Sequence, residues 1–112
     1  MQATRISIRG LRTAWNEAAF KLEILIAAVL LPGSLWLGRT WAESAVLSAL
    51  VVAVLVVELL NTAVETVVDR VGLEWHELSG RAKDLGSAAV LICVTFTTIV
   101  WICAIAVKLA GL

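Results

Sequence analysis

Three long stretches of the chain contain no charged residue. They are residues 24–38, 44–57 and 85–107. An α-helix rises ~1.5 Å per residue, so the third stretch alone can cross the ~30 Å hydrocarbon core of a bilayer. The first two reach that length when the helix continues into residues 18–20 and 59–68, most of which are uncharged. The pattern therefore predicts three transmembrane helices.

The segment before the first span is amphipathic instead. Its arginines and its apolar residues fall on different faces of a helix: Arg5, Arg9 and Arg12 on one, and Ile8, Leu11, Trp15 and Leu22 on the other. Such a helix lies in the membrane interface, with its cationic side towards lipid phosphates and water.

These patterns predict an all-α membrane protein with one integral-membrane domain over residues 1–112. The composition agrees, because 61% of the residues are hydrophobic and the mean hydropathy is +0.96. We expect Pro32-Gly33 to break or kink the first span, Gly72 to end the second, and a polar connection to precede the third. The predicted elements are an interfacial helix at 4–22 and transmembrane helices at 23–38, 42–71 and 84–109.

Positive charges are distributed unevenly between the two ends of the predicted spans. Most lie before the first span or between the second and third, namely Arg5, Arg9, Arg12, Lys21, Arg70, Arg81 and Lys83. Cytoplasmic loops carry an excess of Lys and Arg, so we expect a multi-pass membrane protein with a cytoplasmic N-terminus. The 69–84 connection then also faces the cytoplasm.

The second predicted span carries a polar stripe on its inner half. Glu58, Asn61, Glu65 and Asp69 follow one another at helical spacings of three and four, which places them on one face. Ionisable groups inside a membrane are costly unless they face other helices or water. We therefore expect a homo-oligomer, in which small residues such as Ala63, Gly86, Ala88 and Ala89 allow helices to approach closely.

The depth of these acids suggests their chemistry. Glu58 lies below the inner headgroups, where a carboxylate could act as general base for a lipid hydroxyl. Glu65 and Glu17 lie at the interface, where carboxylates suit Mg²⁺. With nearby lysines and arginines this set fits phosphoryl transfer. An ion or proton pathway and a purely structural polar interface remain open on the same residues.

Three segments resemble the small bacterial integral-membrane diacylglycerol kinases. They are WNEAAFKLE at 15–23, ELLNTAVETVVDR at 58–70 and HELSGRAKDLGSAA at 76–89. The resemblance implies an inner-membrane homotrimer, with active sites shared between subunits, that uses Mg-ATP to phosphorylate diacylglycerol to phosphatidic acid. We expect no nucleic-acid partner.

The resemblance also implies roles for individual residues. Glu58 is the expected base, Asn61 supports it, and Glu17 and Glu65 hold the metal. The nucleotide would contact Glu74, Trp75, His76, Lys83 and Asp84. The lipid would contact Arg12, Trp15, Phe20, Lys21, Glu23 and Ser87 together with Glu58. The tryptophans are typical of the aromatic belts at membrane interfaces, and we also expect Trp101 to be a lipid contact.

Two other functions are consistent with the sequence. An undecaprenol kinase of the same fold shares the Glu-x-x-Asn-x-x-x-Glu core, although residues 16–20 and 75–81 look more like the diacylglycerol branch. A small oligomeric membrane transporter or assembly protein would use the same acids without nucleotide.

Overall fold

A computed structural model describes residues 2–112, and these residues form four α-helices and no strand. Three of the helices are long and apolar enough to cross a membrane. The predicted all-helical fold is confirmed. The helices are α1 (Gln2–Trp15), α2 (Ala18–Leu37), α3 (Trp41–Val71) and α4 (Glu77–Leu109).

The first two helices divide the predicted interfacial segment differently from our expectation. We predicted one helix over 4–22, but α1 ends at Trp15 and α2 begins at Ala18. Glu17 lies between them with an extended backbone (φ −81°, ψ 123°) and forms the N-cap of α2. Its side chain makes no capping hydrogen bond. The carboxylate is therefore available to other partners.

We expected Pro32 to break or kink the first span, but it does not break the helix. It lies inside α2, which continues to Leu37. Its ring removes one backbone donor. Next to it, Ser34 donates its hydroxyl to the carbonyl of Leu31 at 2.6 Å. Ser44 donates from α3 to the carbonyl of Ser34 at 2.8 Å, so polar contacts join α2 and α3 near this end.

The α2–α3 turn is short, whereas the α3–α4 connection is longer. Thr40 caps α3, because its Oγ1 atom accepts a hydrogen bond from the backbone amide of Glu43 at 3.1 Å. The helix ends at Val71 and is followed by Gly72, as predicted. The fourth helix begins at Glu77 rather than at residue 84, because the Nδ1 atom of His76 accepts the amide of Leu78 at 3.1 Å. The predicted polar connection is thus largely helical.

A small apolar core holds α2, α3 and α4 together. Its buried members are Ala27, Leu37, Leu47, Val51 and Trp101. The indole of Trp101 donates from α4 to the carbonyl of Leu47 on α3 at 3.2 Å. Most other large apolar side chains are exposed in the single chain. This exposure is what a membrane protein shows when lipid, or another subunit, covers its sides.

Candidate active site

A cleft of about 390 Å³ opens between α2 and α3 at the end of the bundle that carries the α3–α4 connection. We call it the acidic cleft. Most of its side chains are polar, and its carboxylates come from Glu17, Glu23, Glu58, Glu65 and Asp69. Asn61 and Phe20 also line it.

Helical periodicity explains why these side chains meet. On α2 and its N-cap, Glu17, Phe20 and Glu23 recur every third residue, so they share one face. The stripe from Glu58 to Asp69 shares one face of α3. The two helices run in opposite directions, and these faces are turned towards each other. The structure therefore brings together the predicted base, the predicted metal ligands and two of the predicted lipid contacts.

Glu23 and Glu58 form the innermost part of the acidic cleft. Both carboxylates line the cleft, and they are close enough to interact electrostatically. The Oε2 atom of Glu23 is buried and has no hydrogen-bond partner among residues 2–112. Two carboxylates this close repel each other unless a proton or a cation lies between them. The structure thus places Glu23, which the resemblance assigns to the lipid, directly beside the expected base.

Asn61 connects the inner and outer parts of the cleft. Its Nδ2 atom donates to Oε1 of Glu65 at 3.2 Å. Its Oδ1 atom is buried and has no hydrogen-bond partner among the described residues. Glu65 itself is exposed, so this bond is what orients a carboxylate that water would otherwise leave free.

A second cleft of about 250 Å³, the loop cleft, lies at the α3–α4 connection. Four predicted nucleotide contacts line it: Glu74, Trp75, His76 and Lys83. The Nζ atom of Lys83 also forms an ion pair with Oδ1 of Asp69 at 2.7 Å. Since Asp69 lines the acidic cleft and Lys83 lines the loop cleft, this ion pair joins the two.

Several predicted site residues lie outside both clefts. Arg12 is exposed on α1, and Asp84 and Ser87 are exposed on α4. Lys21 lies over the ring of Trp15, with its Nζ atom 5.7 Å from the ring centroid. Trp101 is only 8% exposed and lies in the apolar core. The structure does not bring these six residues to the acidic cleft within one chain.

Two threonines in the acidic cleft were not predicted. Thr62 donates to the carbonyl of Glu58 at 3.0 Å, and Thr66 donates to the carbonyl of Thr62 at 2.7 Å. Their positions, four and eight residues after Glu58, follow the same helical stripe. A wider reading of that stripe could have found them.

No group of three or more His, Cys, Asp or Glu side chains in residues 2–112 is close enough to hold a metal ion alone. Mg²⁺ in phosphoryl-transfer sites commonly takes only one or two carboxylates and completes its shell with water and substrate phosphates. The oxygen atoms of the acidic cleft are of the type that Mg²⁺ prefers.

The sequence profile of prokaryotic diacylglycerol kinase matches residues 5–105. The chain belongs to the prokaryotic diacylglycerol kinase family. It is 49% identical over 102 residues to a diacylglycerol kinase of Haemophilus influenzae, covering 90% of this chain and 86% of the relative. The relative from Escherichia coli strain K12 is 49% identical over 105 residues, covering 90% and 84%.

A third relative comes from Pseudomonas aeruginosa. It is also named diacylglycerol kinase and is 43% identical over 102 residues, covering 90% of this chain and 83% of the relative. The match spans all four helices and both clefts. Family membership confirms the predicted family and the enzyme class, a kinase.

Proposed function

We propose that this protein transfers the γ-phosphoryl group of ATP to the free hydroxyl of diacylglycerol, which yields phosphatidic acid and ADP. The observation that carries the proposal is the acidic cleft, found in a chain of this family at the end of its apolar spans. The relatives' printed names support the lipid substrate. Charge asymmetry supports a cytoplasmic site, and the family resemblance supports a location in the bacterial inner membrane.

Glu58 is the proposed general base. It is half-buried, lies nearest the apolar part of α3, and has Glu23 beside it. The hydroxyl oxygen of the lipid forms a bond to the γ-phosphorus, while the bond from that phosphorus to the β–γ bridging oxygen breaks. The hydroxyl proton passes to Glu58, and ADP leaves with the electron pair of the broken bond.

Glu17 and Glu65 are the proposed ligands of Mg²⁺. Both are exposed carboxylates of the acidic cleft, and the capping position of Glu17 leaves its oxygens unbonded. When bound, Mg²⁺ neutralises charge on the ATP phosphates. Asn61 orients Glu65 through the hydrogen bond that its Nδ2 atom donates.

The loop cleft is the proposed nucleotide site. Glu74, Trp75 and His76 supply polar and aromatic groups, and Lys83 supplies the cation for phosphate oxygens. Asp84 follows Lys83 on α4 and is assigned to the nucleotide by family resemblance. The ion pair of Lys83 with Asp69 places this cation at the border of the acidic cleft.

The lipid is proposed to enter from the membrane beside α1 and α2. Phe20 and Glu23 line the acidic cleft, while Lys21 lies over the ring of Trp15 outside that cleft. Arg12, Ser87 and Trp101 lie elsewhere in the single chain. The exposed Arg12 and Ser87 can therefore contact the lipid only at a site shared with another subunit of the proposed homotrimer, whereas Trp101 is buried in the apolar core. Native mass spectrometry of the protein in detergent should give a trimer mass.

The reaction is tested with purified protein in mixed micelles containing Mg²⁺ and γ-labelled ATP. Diacylglycerol should become labelled phosphatidic acid. Undecaprenol in place of diacylglycerol tests the related lipid kinase, and liposomes without ATP test ion flux. Labelling of undecaprenol alone would reassign the substrate, and flux without any labelled lipid would contradict kinase activity.

A further inference from the structure

Gly86 of α4 faces Asn61 of α3 at the rim of the acidic cleft. A Cβ atom placed on Gly86 would overlap Oδ1 of Asn61 and would lie 3.3 Å from its Cγ. The same addition at Gly33 in α2 meets nothing within 4 Å. Because Gly86 has no side chain, the space beside it is free for Oδ1 of Asn61.

The position of this one oxygen determines the position of the whole amide. The group is planar and rigid, so moving Oδ1 also moves Nδ2. Nδ2 is the atom that donates to Glu65 at 3.2 Å. Oδ1 is buried and has no hydrogen-bond partner among residues 2–112. Its location is therefore set by packing against Gly86 rather than by a bond of its own.

We propose that Gly86 is a positioning residue for the kinase reaction. It holds open the space for Oδ1 of Asn61, which in turn directs the carboxylate of Glu65 into the acidic cleft. The inference rests on the proposed function, in which Glu65 is a ligand of Mg²⁺. Groups that orient a metal ligand commonly change metal affinity by about 10–100-fold when they are lost.

The test is Gly86→Ala, with Gly33→Ala as the matched control. The first readout is the Mg²⁺ concentration that gives half-maximal activity. The second is binding of Mn²⁺ with a non-hydrolysable ATP analogue, followed by electron paramagnetic resonance without turnover. Gly86→Ala should weaken both by roughly 10–100-fold, while the KM for diacylglycerol stays as in the wild type. Gly33→Ala should change neither.

A double-mutant cycle separates positioning from general damage. In an Asn61→Ala background there is no Oδ1 to displace, so adding Gly86→Ala should weaken Mn²⁺ binding no further. Thermal unfolding of each variant reports on the fold. If Gly86→Ala fails to fold and the double variant folds, the collision with Asn61 is supported. If neither variant folds, or if the losses of Mn²⁺ affinity caused by Asn61→Ala and Gly86→Ala add in the double variant, the proposal is wrong.

A further variant, Glu65→Gln, distinguishes this inference from the proposed function. Glu65→Gln should weaken Mn²⁺ binding if Glu65 holds the metal. Wild-type binding by Glu65→Gln would contradict the proposed metal site and this inference together. Loss of binding in Glu65→Gln but wild-type binding in Gly86→Ala would overturn the role of Gly86 alone.

Discussion

At Glu58 the uncharged part of α3 meets its polar part. The residue is half-buried, and its carboxylate faces that of Glu23 rather than a cation from the same chain. A structural ion pair would have placed a lysine or arginine there. The arrangement suits a group that must accept a proton during the reaction.

Replacing Glu58 by Gln should therefore remove most of the activity. General-base catalysis contributes about 10²–10⁴-fold to rate, so we expect a loss of that size in kcat. Because Gln keeps the shape and relieves repulsion with Glu23, the thermal unfolding temperature should not fall. Phosphatidic acid formation at saturating Mg-ATP and lipid is the measurement. Near wild-type turnover would remove Glu58 from the mechanism.

Glu65 offers a second test at the residue scale. Glu65→Gln should raise the Mg²⁺ concentration for half-maximal activity by at least about tenfold, because a neutral amide is a weaker ligand than a carboxylate. Glu43→Gln is the matched control, since Glu43 lies at the opposite end of the bundle and bonds the amide of Arg39. An equal change in both variants would contradict a specific role for Glu65.

At the scale of the helices, the ion pair of Lys83 with Asp69 joins α4 to α3 beside both clefts. The two side chains are 45% and 47% exposed, and exposed ion pairs add little to stability. Lys83 can thus leave Asp69 for a phosphate group at little cost.

We expect Lys83→Met to raise the KM for ATP strongly and to leave thermal unfolding almost unchanged. Asp69→Asn should have a smaller effect on the same KM, because it frees the cation without removing it. Kinetics with varied ATP at fixed lipid, together with thermal unfolding, provide the comparison. A large loss of stability in Lys83→Met would indicate a structural ion pair instead.

Trp101 allows the packing of α3 on α4 to be examined. Its indole donates to the carbonyl of Leu47, and the side chain is buried in the apolar core. Trp101→Phe should destabilise the protein by about 1 kcal/mol, the value of one hydrogen bond, and Trp101→Ala by several times more, since a cavity forms.

The activity of folded Trp101→Phe distinguishes packing from substrate binding. If Trp101 serves packing alone, the KM for diacylglycerol stays at the wild-type value. If it contacts lipid in the assembled protein, as the sequence analysis predicted, this KM rises while the KM for ATP does not.

Helix periodicity explains how much of this fold and site could be predicted. The spacing of three and four residues along α3 predicted that Glu58, Asn61 and Glu65 share one face. The uncharged stretches predicted the transmembrane helices. Contacts between helices could not be predicted in this way. Helical periodicity shows which residues share a face, but it does not show which residues of another helix pack against that face. The overlap of Gly86 with Asn61 and the bond from Trp101 to Leu47 depend on how α4 packs on α3.

Two helix boundaries were also not predicted from the sequence. The break at Glu17 and the early start of α4 after His76 rest on local turns and one imidazole cap. Asn16-Glu17 contains no proline or glycine, so the sequence offers no strong signal for ending a helix there. Residues 73–76 contain no Ser, Thr, Asp or Asn, so the sequence gives no usual N-cap for a helix that begins at Glu77.

At the scale of the whole molecule, charge distribution predicts the orientation of the protein. In a background with Cys93 and Cys103 changed to Ala, a single cysteine is placed by Gln2→Cys or by Leu112→Cys. A membrane-impermeant maleimide should label only Gln2→Cys in sealed inside-out vesicles and only Leu112→Cys in right-side-out vesicles. The reverse labelling would invert the proposed topology.

Lys108 is an exception to that charge distribution, because α4 carries it to the end opposite the acidic cleft. Its Nζ atom donates to the carbonyl of Trp36 at 2.7 Å and lies 3.9 Å from the centroid of that residue's indole ring. In the proposed orientation, the transmembrane potential is negative on the cytoplasmic side and draws this ammonium inwards. The carbonyl and ring of Trp36 hold it at the outer surface. In that orientation, the contact would tie α4 to α2 at the outer surface and oppose a displacement of α4 along the membrane normal.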